Sequence, residues 1–394
     1  MDVKSVSILY LSIGSGHQVA AESLAAAMRL LAPNVPVSVH DPLSKAIKFL
    51  PSFLSGVQAT TNLLFPNIYN AAWRYGAVKN TPIENSLRLQ SILLDELKRI
   101  GPGVIVATHV LPCILATRLK RAGKLKGMKL FGVVTDYGLN PVWPTEGMDG
   151  YFTAHEELRQ TLAYRGVDPG IVHVTGIPIR SASSRPRLEN KSGRLRVLAM
   201  AGGIRNGGYI AIQDEIANLL RGLDRLDSSA FEMTVVCGNQ PRLEQAFKTL
   251  AGNSRHKMQV CGFVRDMNAA LAAHDVLFTK PGGLIIAEAL ASGLPLILSQ
   301  PSPGVETTNM EFLARHGVAM RGGIVSEIIG SLRACIENPN LVRDMKVAAG
   351  KLGRPHAADE ASRLILNQVQ EETRIEELLP LEYWAETTSA FRES

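Results

Sequence analysis

Apolar positions along the chain fall into two alternating patterns. Short continuous apolar runs stand at residues 6–11, 35–39, 103–107, 130–134 and 171–174. Between them lie segments whose apolar residues recur every three or four positions, the first carrying Ala20, Leu24, Ala27, Met28 and Leu31 on one helical face. The alternation restarts at 195–200 and continues through 233–236, 258–261, 276–279 and 294–298. Strands that are apolar on both faces, with helices between them, predict parallel sheets covered on both sides. The restart therefore predicts two doubly wound α/β domains in tandem, 1–178 and 195–350. The polar stretch 179–194, rich in Ser, Arg, Pro and Lys and without periodicity, reads as their linker, and 351–394 as a tail. Ligands of such sheets bind beyond the carboxyl ends of the strands, so two of them facing each other would share a cleft.

The length of 394 residues suits two or three domains. With 46% hydrophobic and 20% charged residues, wholesale disorder is excluded. The net charge of +6 is too small for this length to argue for nucleic acid as a partner. The surplus is uneven: 17 basic against 12 acidic residues lie up to Pro178, and 25 against 24 beyond it. No apolar run approaches the roughly 18 to 20 residues of a spanning helix, and Met1-Asp2-Val3-Lys4 leads straight into a strand, so no signal peptide is expected. Cys113, Cys237, Cys261 and Cys335 are far apart, with neither CxxC nor metal-ligand spacing. The expectation is a protein of the reducing cytoplasm.

Three glycine-rich turns fall where strands give way to helices. Gly14-Ser15-Gly16-His17 follows the first strand, and Gly202-Gly203 with Asn206-Gly207-Gly208 follows the strand at 195–200. Such turns bring backbone N–H groups and the positive end of a helix to an anion, although a tight turn alone also needs glycine. The third is sharper: Lys280-Pro281-Gly282-Gly283-Leu284-Ile285-Ile286-Ala287-Glu288 exposes N–H donors and places Glu288 a turn and a half into a helix. There a carboxylate can bind two vicinal hydroxyls, as an acidic residue does on a ribose. Two anion-ready turns in one domain point to a nucleoside diphosphate held from two sides. A plain dinucleotide-dependent oxidoreductase is disfavoured, because Gly-Ser-Gly-His lacks the third glycine of that fingerprint.

Gly262-Phe263-Val264-Arg265-Asp266-Met267, the run from Lys280, Gly293-Leu294-Pro295 and Pro301-Ser302-Pro303-Gly304-Val305-Glu306-Thr307-Thr308-Asn309 together resemble the donor domain of a GT-B glycosyltransferase. The resemblance is closest to the group of plant monogalactosyldiacylglycerol synthase and bacterial processive diacylglycerol glucosyltransferases. Gly14-Ser15-Gly16-His17, Val134-Thr135-Asp136-Tyr137 with Trp143, and Thr175-Gly176-Ile177-Pro178-Ile179 are similar to its first-domain signatures in the same order. The likeness spans roughly residues 5 to 350. It implies a GT-B fold, in which two Rossmann-like domains face each other across a cleft and the final helices can cross back to the first domain.

The same resemblance implies a set of roles. Phe263 and Val264 would border a nucleobase, favouring uracil. Gly282, Gly283 and Leu284 would cradle the diphosphate with Gly202 and Gly203, and Gly14 and Gly16 would form a phosphate loop in the acceptor domain. Glu288 would bind the ribose, and Glu306 and Asn309 would face the sugar hydroxyls. His17 would be the general base, a task that suits an imidazole titrating near neutrality; by position alone it reads more often as a helix-cap residue than as a base. Asp136 is open between three roles: the base itself, an orienter of His17, or a structural support of its loop. No DxD motif is present, so no metal and no cofactor beyond the UDP-sugar co-substrate is expected. His40, His109, His155, His173, His256, His274 and His316 form no ligand spacing and stay in the background.

Three positions depart from the family pattern: Asn140 stands for the usual His before Pro141, Ile285 for Thr, and Val305 for Gln. They leave the mainly backbone diphosphate site intact and put the identity of the sugar and acceptor in question. For the acceptor side, residues 45–77 mix Phe49, Phe53, Phe65 and Trp73 with Lys45, Lys48 and Arg74, a composition suited to the lipid interface. Arg118, Lys120, Arg121, Lys124, Lys126 and Lys129 follow without an intervening acid and suit an anionic membrane surface. The expected partners are therefore a UDP-hexose, diacylglycerol or another lipid acceptor, and the inner face of the cell membrane, with no nucleic acid. The rivals are a soluble small-molecule acceptor and a nucleotide-sugar-binding protein without turnover.

Overall fold

The computed structural model describes residues 5–12, 16–47, 85–180, 193–201, 216–219, 222–223, 226, 230–322 and 324–378, which two parallel six-stranded sheets organise. The first sheet contains β1 (Val6–Leu9), β2 (Val37–His40), β3 (Val104–Ala107), β4 (Lys129–Val133), β5 (Gly150–Thr153) and β6 (Val172–Val174), in the order β2-β1-β3-β4-β5-β6. The second contains β7 (Leu195–Met200), β8 (Phe231–Val236), β9 (Lys257–Cys261), β10 (Val276–Thr279), β11 (Leu296–Leu298) and β12 (Ala319–Arg321), in the order β12-β11-β10-β7-β8-β9. Connections diverge between β1 and β3 in one sheet and between β7 and β10 in the other. A parallel sheet opens a crevice at such a switch point, beyond the carboxyl ends of its strands.

Alternation along the buried strands sends side chains to two covered faces. In the first sheet Val6, Ile8, Val104 and Val106 meet α1 (Gly16–Leu31) through Ala21, Leu24 and Met28. On the other face Leu9 and Ile105 meet α2 (Leu87–Ile100) and α3 (Val110–Arg121) through Leu93, Leu97 and Leu115. Each such leucine taken fully from water contributes about 1.5–3 kcal/mol. Of the predicted face of α1, Ala20, Leu24, Ala27 and Met28 are buried, while Leu31, at the helix end, is 40% exposed.

The helix α4 (Glu156–Tyr164) completes the first domain. The second is wrapped by α5 (Pro241–Gly252), α6 (Met267–Ala272), α7 (Gly283–Ala291), α8 (Val305–Arg315), α9 (Val325–Glu337) and α10 (Pro339–Leu352). The last helix among the described residues, α11 (Ala357–Leu378), follows the second domain in sequence but packs on the first. It buries Ala361, Ile365, Leu366 and Val369 in the core shared with α1, and Ser362 donates to the Leu24 carbonyl at 3.3 Å. A further apolar cluster runs through both domains, joining Val134, Tyr151 and Ile177 to Ile286, Leu290 and Phe312. No helix among the described residues is long and apolar enough to cross a membrane.

At the foot of the second sheet Asp275 accepts Arg196 Nε at 3.0 Å and Lys346 Nζ at 3.1 Å, tying β7, β10 and α10 together. Burial works to raise this carboxyl, but the bonds from Arg196 and Lys346 outweigh it and hold it well below the ordinary carboxylate range. A depressed folded pKa gives stability that is present above the unfolded value and lost as pH falls through the folded one. Asp275→Asn is accordingly expected to destabilise the protein by about 3 kcal/mol at pH 7, since it strands two partly buried cations. Urea unfolding should show the gap to wild type narrowing below about pH 4.

Candidate active site

His17 opens α1 at the carboxyl end of β1, beside the β1/β3 switch point. Its Nδ1 lies 2.9 Å from the Thr108 carbonyl and 2.9 Å from Thr135 Oγ1, while Thr108 Oγ1 donates to the His17 carbonyl at 2.9 Å. A carbonyl can only accept, so Nδ1 carries the proton and Nε2 keeps its lone pair. The ring is part-buried, and desolvation lowers its pKa to about 4 against the raising effect of the Thr108 bond. His17 is therefore neutral at physiological pH, with its basic nitrogen fixed by the hydrogen bond of the other. His109 sets its ring edge-on to that of His17, 4.6 Å between centroids, while its Nδ1 caps α3 by accepting from Leu111 N. The background reading of His109 is thus corrected: it forms one wall of the His17 site. Thr108 and Thr135, which sequence reasoning gave no role, hold the imidazole in its tautomer.

Asp136 follows Thr135 and reaches across to the second domain. It accepts from Asn309 Nδ2 at 3.0 Å and from the Gly283 N–H at the start of α7. Burial pushes its carboxyl up to about 7, opposed by the Asn309 bond and reinforced by the charge of Glu306. The orientation of His17 comes from Thr108 and Thr135, so of the three roles open to Asp136 that of orienter is not the one the geometry gives it. The contact is close. A Cβ on Gly283 would lie 2.0 Å from the Thr135 carbonyl oxygen, and one on Gly138 would lie 1.8 Å from Thr308 Oγ1. A Cβ on Gly16 would stand 3.5 Å from Leu284 Cβ, so the amino ends of α1 and α7 face each other across the cleft. One N–H donor expected for a diphosphate, that of Gly283, is here engaged by the Asp136 carboxylate. The positive end of α7 draws the nearest anion.

Glu306 and Asn309 lie one turn apart on α8, and both are buried. Glu306 accepts Lys280 Nζ at 2.9 Å and Ser302 N at 3.0 Å. Asn309 is fully buried; its Oδ1 accepts Tyr137 N and Gly138 N at 2.8 and 2.9 Å, and its Nδ2 donates to Asp136 and to the Pro281 carbonyl. The expectation that Asn309 faces sugar hydroxyls does not match this geometry, because its amide is spent on the seam between domains. Beside it Tyr137 stacks on Phe312 and His155, and Glu157 of α4 pairs with Arg315 of α8 at 2.9 Å. His155 is thus a seam residue as well.

Glu288 lies on α7, with burial raising its carboxyl to about 7 and the charge of Arg180 opposing. Arg180 also approaches Glu22 of α1 at 3.6 Å. Phe263, just past the carboxyl end of β9, is 61% exposed, an open aromatic face at the rim of the second domain, while Val264 packs inward. Asp266 is a cap of α6, accepting from Ala269 N at 2.9 Å. Gly14, Gly202, Gly203 and most of the apolar-basic segment 45–77 lie outside the described residues. The basic run on α3 gains acids in space: Lys120 pairs with Asp149 and Arg121 with Glu146 at 3.3 Å. Among the described residues no group of three or more His, Cys, Asp or Glu is placed to hold a metal ion.

Two doubly wound domains with facing helix termini and a histidine at the first switch point define the GT-B fold. Acinetobacter baumannii MurG shares it at a TM-score of 0.61 and 16% identity, covering 92% of this chain and 99% of its own. So does the S. aureus MnaA–UDP co-structure, at 0.62 and 14%, covering 94% and 97%. A Neisseria meningitidis UDP-GlcNAc 2-epimerase bound to UDP-GlcNAc follows at 0.59 and 15%, covering 93% and 100%. Transferases and epimerases thus share this frame, and the likeness speaks for the fold alone. Sequence is more specific. The family model for monogalactosyldiacylglycerol (MGDG) synthase matches residues 17–179, and that for the glycosyltransferase family 28 C-terminal domain matches 213–320. The processive diacylglycerol beta-glucosyltransferase of Bacillus subtilis (strain 168) is 27% identical over 394 residues, 94% of this chain and 96% of that protein. Its Bacillus pumilus (strain SAFR-032) counterpart is 28% identical over 294 residues, 73% of each. Two glycosyltransferase family models thus match successive parts of the chain, and over most of its length it is similar to processive diacylglycerol glucosyltransferases.

Proposed function

We propose that this protein transfers a hexose from a UDP-sugar to the hydroxyl of diacylglycerol, or of a glycosyl-diacylglycerol, with inversion. The observation that carries the reading is the His17 imidazole, whose Nδ1–H is committed to Thr108 and whose Nε2 is left as a base at the mouth of the cleft. The acceptor hydroxyl passes its proton to Nε2 as its oxygen bonds the anomeric carbon. The bond from that carbon to the diphosphate oxygen breaks, and UDP leaves with the electron pair. The amino end of α7 meets the charge that develops there, so the step needs no metal ion. The relatives named for diacylglycerol supply the acceptor class, and the protein works as a peripheral enzyme on the inner face of the membrane. Exposed Lys124 and Lys126 at the end of α3 would meet anionic headgroups.

The test is UDP release from a panel of UDP-hexoses with and without diacylglycerol liposomes. Lipid-dependent release supports the reading and names the sugar. Release indifferent to lipid would indicate a soluble acceptor or donor hydrolysis, and UDP binding without turnover a non-catalytic protein. Association with anionic liposomes should weaken as salt rises, because exposed charges are screened within about 10 Å at 0.1 M.

The pH profile separates the two candidate bases. A base must be unprotonated, so activity is present above its pKa and lost as pH falls through it. With His17 as base, kcat/KM should hold to about pH 5 and fall through about 4. A fall through about 7 instead would assign the base to Asp136.

A further inference from the structure

We infer that Asn309 is a positioning residue of the transfer reaction, a latch that brings the His17 site into register when the two domains close, rather than a reader of the sugar. The inference rests on the proposed role of His17 as base. Its ground is the continuity of one short strip. Asn309 of α8 binds the Tyr137 and Gly138 amides through Oδ1, and Asp136 and the Pro281 carbonyl through Nδ2. Both donor hydrogens and both acceptor directions of the carboxamide are thereby used, which is the full capacity of the group. At the other end of the strip Thr135 Oγ1 lies 2.9 Å from His17 Nδ1. One buried side chain of the donor domain thus grips three consecutive residues, 136–138, and the residue just before them, Thr135, holds the imidazole.

Chemistry selects Asn for this place. An aspartate offers the two amides an acceptor but has no hydrogen for Asp136 or Pro281, and a leucine offers neither. Gly138 is part of the same fit, because a Cβ there would strike Thr308, one position before Asn309 on α8. When the domains part, the strip loses its three bonds to Asn309 and Thr135 loses its fixed relation to the ring. A misplacement of about 1 Å in a reacting constellation costs on the order of 10²-fold in rate.

The experiment uses the full chain with Asn309→Ala and Asn309→Asp, read by UDP-release kinetics on diacylglycerol liposomes, by UDP titration, and by hydrogen exchange of the Tyr137 and Gly138 amides. For Asn309→Ala the expected result is a fall in kcat of about 10², KM for the UDP-hexose within twofold of wild type, unchanged UDP affinity, and faster exchange of both amides. For Asn309→Asp those amides should stay protected, and the deficit in kcat should shrink as pH falls, because a protonated carboxyl regains one donor. A raised KM with kcat intact, or an altered preference between epimeric UDP-hexoses, overturns the latch in favour of sugar reading. An unchanged or increased kcat overturns it too, as does exchange that ignores the alanine. A wild-type protein inactive with every donor sinks the transferase reading instead, while the exchange measurement still decides whether Asn309 holds the strip.

Discussion

Replacing His17 with alanine is expected to lower lipid-dependent UDP release by about 10²–10⁴-fold, the usual contribution of a positioned general base. UDP affinity and thermal stability should stay near wild type. The separation follows from what the side chain touches: two threonine groups and the edge of the His109 ring, with no part in the apolar core under α1. Loss of the imidazole leaves the Thr135 hydroxyl 3.5 Å from the Thr108 carbonyl, to which it can turn, so no buried donor is stranded. Turnover retained in this variant would remove His17 from the mechanism and pass the role of base to Asp136, whose carboxyl burial pushes up to about 7.

The second large effect is expected from a single methyl group. Gly283→Ala places Cβ 2.0 Å from the Thr135 carbonyl oxygen and 2.9 Å from Asp136 Oδ1, well inside contact distance. The obstructing atom is backbone of the opposite domain and cannot rotate away. Within α7 itself alanine is the better residue, by about 1 kcal/mol of helix propensity at an interior position and less at the first turn. The helix should therefore form as before, and the damage should fall on closure: a loss of turnover of about 10² or more, with little change in Tm. Gly252→Ala at the end of α5, where a new Cβ meets nothing within 4 Å, is the matched control and should be silent in both assays. Full activity in Gly283→Ala would show that the seam is not shut during transfer, and a drop in Tm of many degrees would show that the seam supports the fold rather than closure alone.

Much of the frame was legible because burial on both faces leaves an unbroken apolar run. Strands such as β1, β3 and β10, buried at every position, stood out for that reason. β5 and β12 did not: Gly-Tyr-Phe-Thr is buried throughout between β4 and β6 but carries glycine, tyrosine and threonine, and Ala-Met-Arg is three residues of mixed polarity at the sheet edge. At the site, His17 and the Gly282-Gly283 turn were visible from their place after strands. The meaning of Asn309 was not. Glu306 and Asn309 were turned toward the sugar by the resemblance alone, and nothing local reveals that this face of α8 meets another domain. Thr108 and Thr135 were equally silent, since a threonine after a strand carries no signal until an imidazole arrives from about a hundred residues away. The ion pairs of the basic run 118–129 were just as hidden, because Glu146 and Asp149, which meet Arg121 and Lys120, follow only after β4.

The packing of α11 on α1 has a consequence for how the chain is made. Protein synthesis delivers the amino-terminal domain first, and domains generally fold as they emerge. Here the stripe formed by Ala21, Leu24 and Met28 finds its cover in Ile365 and Val369, which leave the ribosome only after the whole second domain. The first domain is a discontinuous folding unit, finished by a helix that follows the second domain. A fragment ending at Pro178 would present that stripe to water, whereas the same fragment supplied with residues 357–378 would have its missing wall. In evolution, too, the piece that can be exchanged between relatives as a unit is the first domain together with this distant helix.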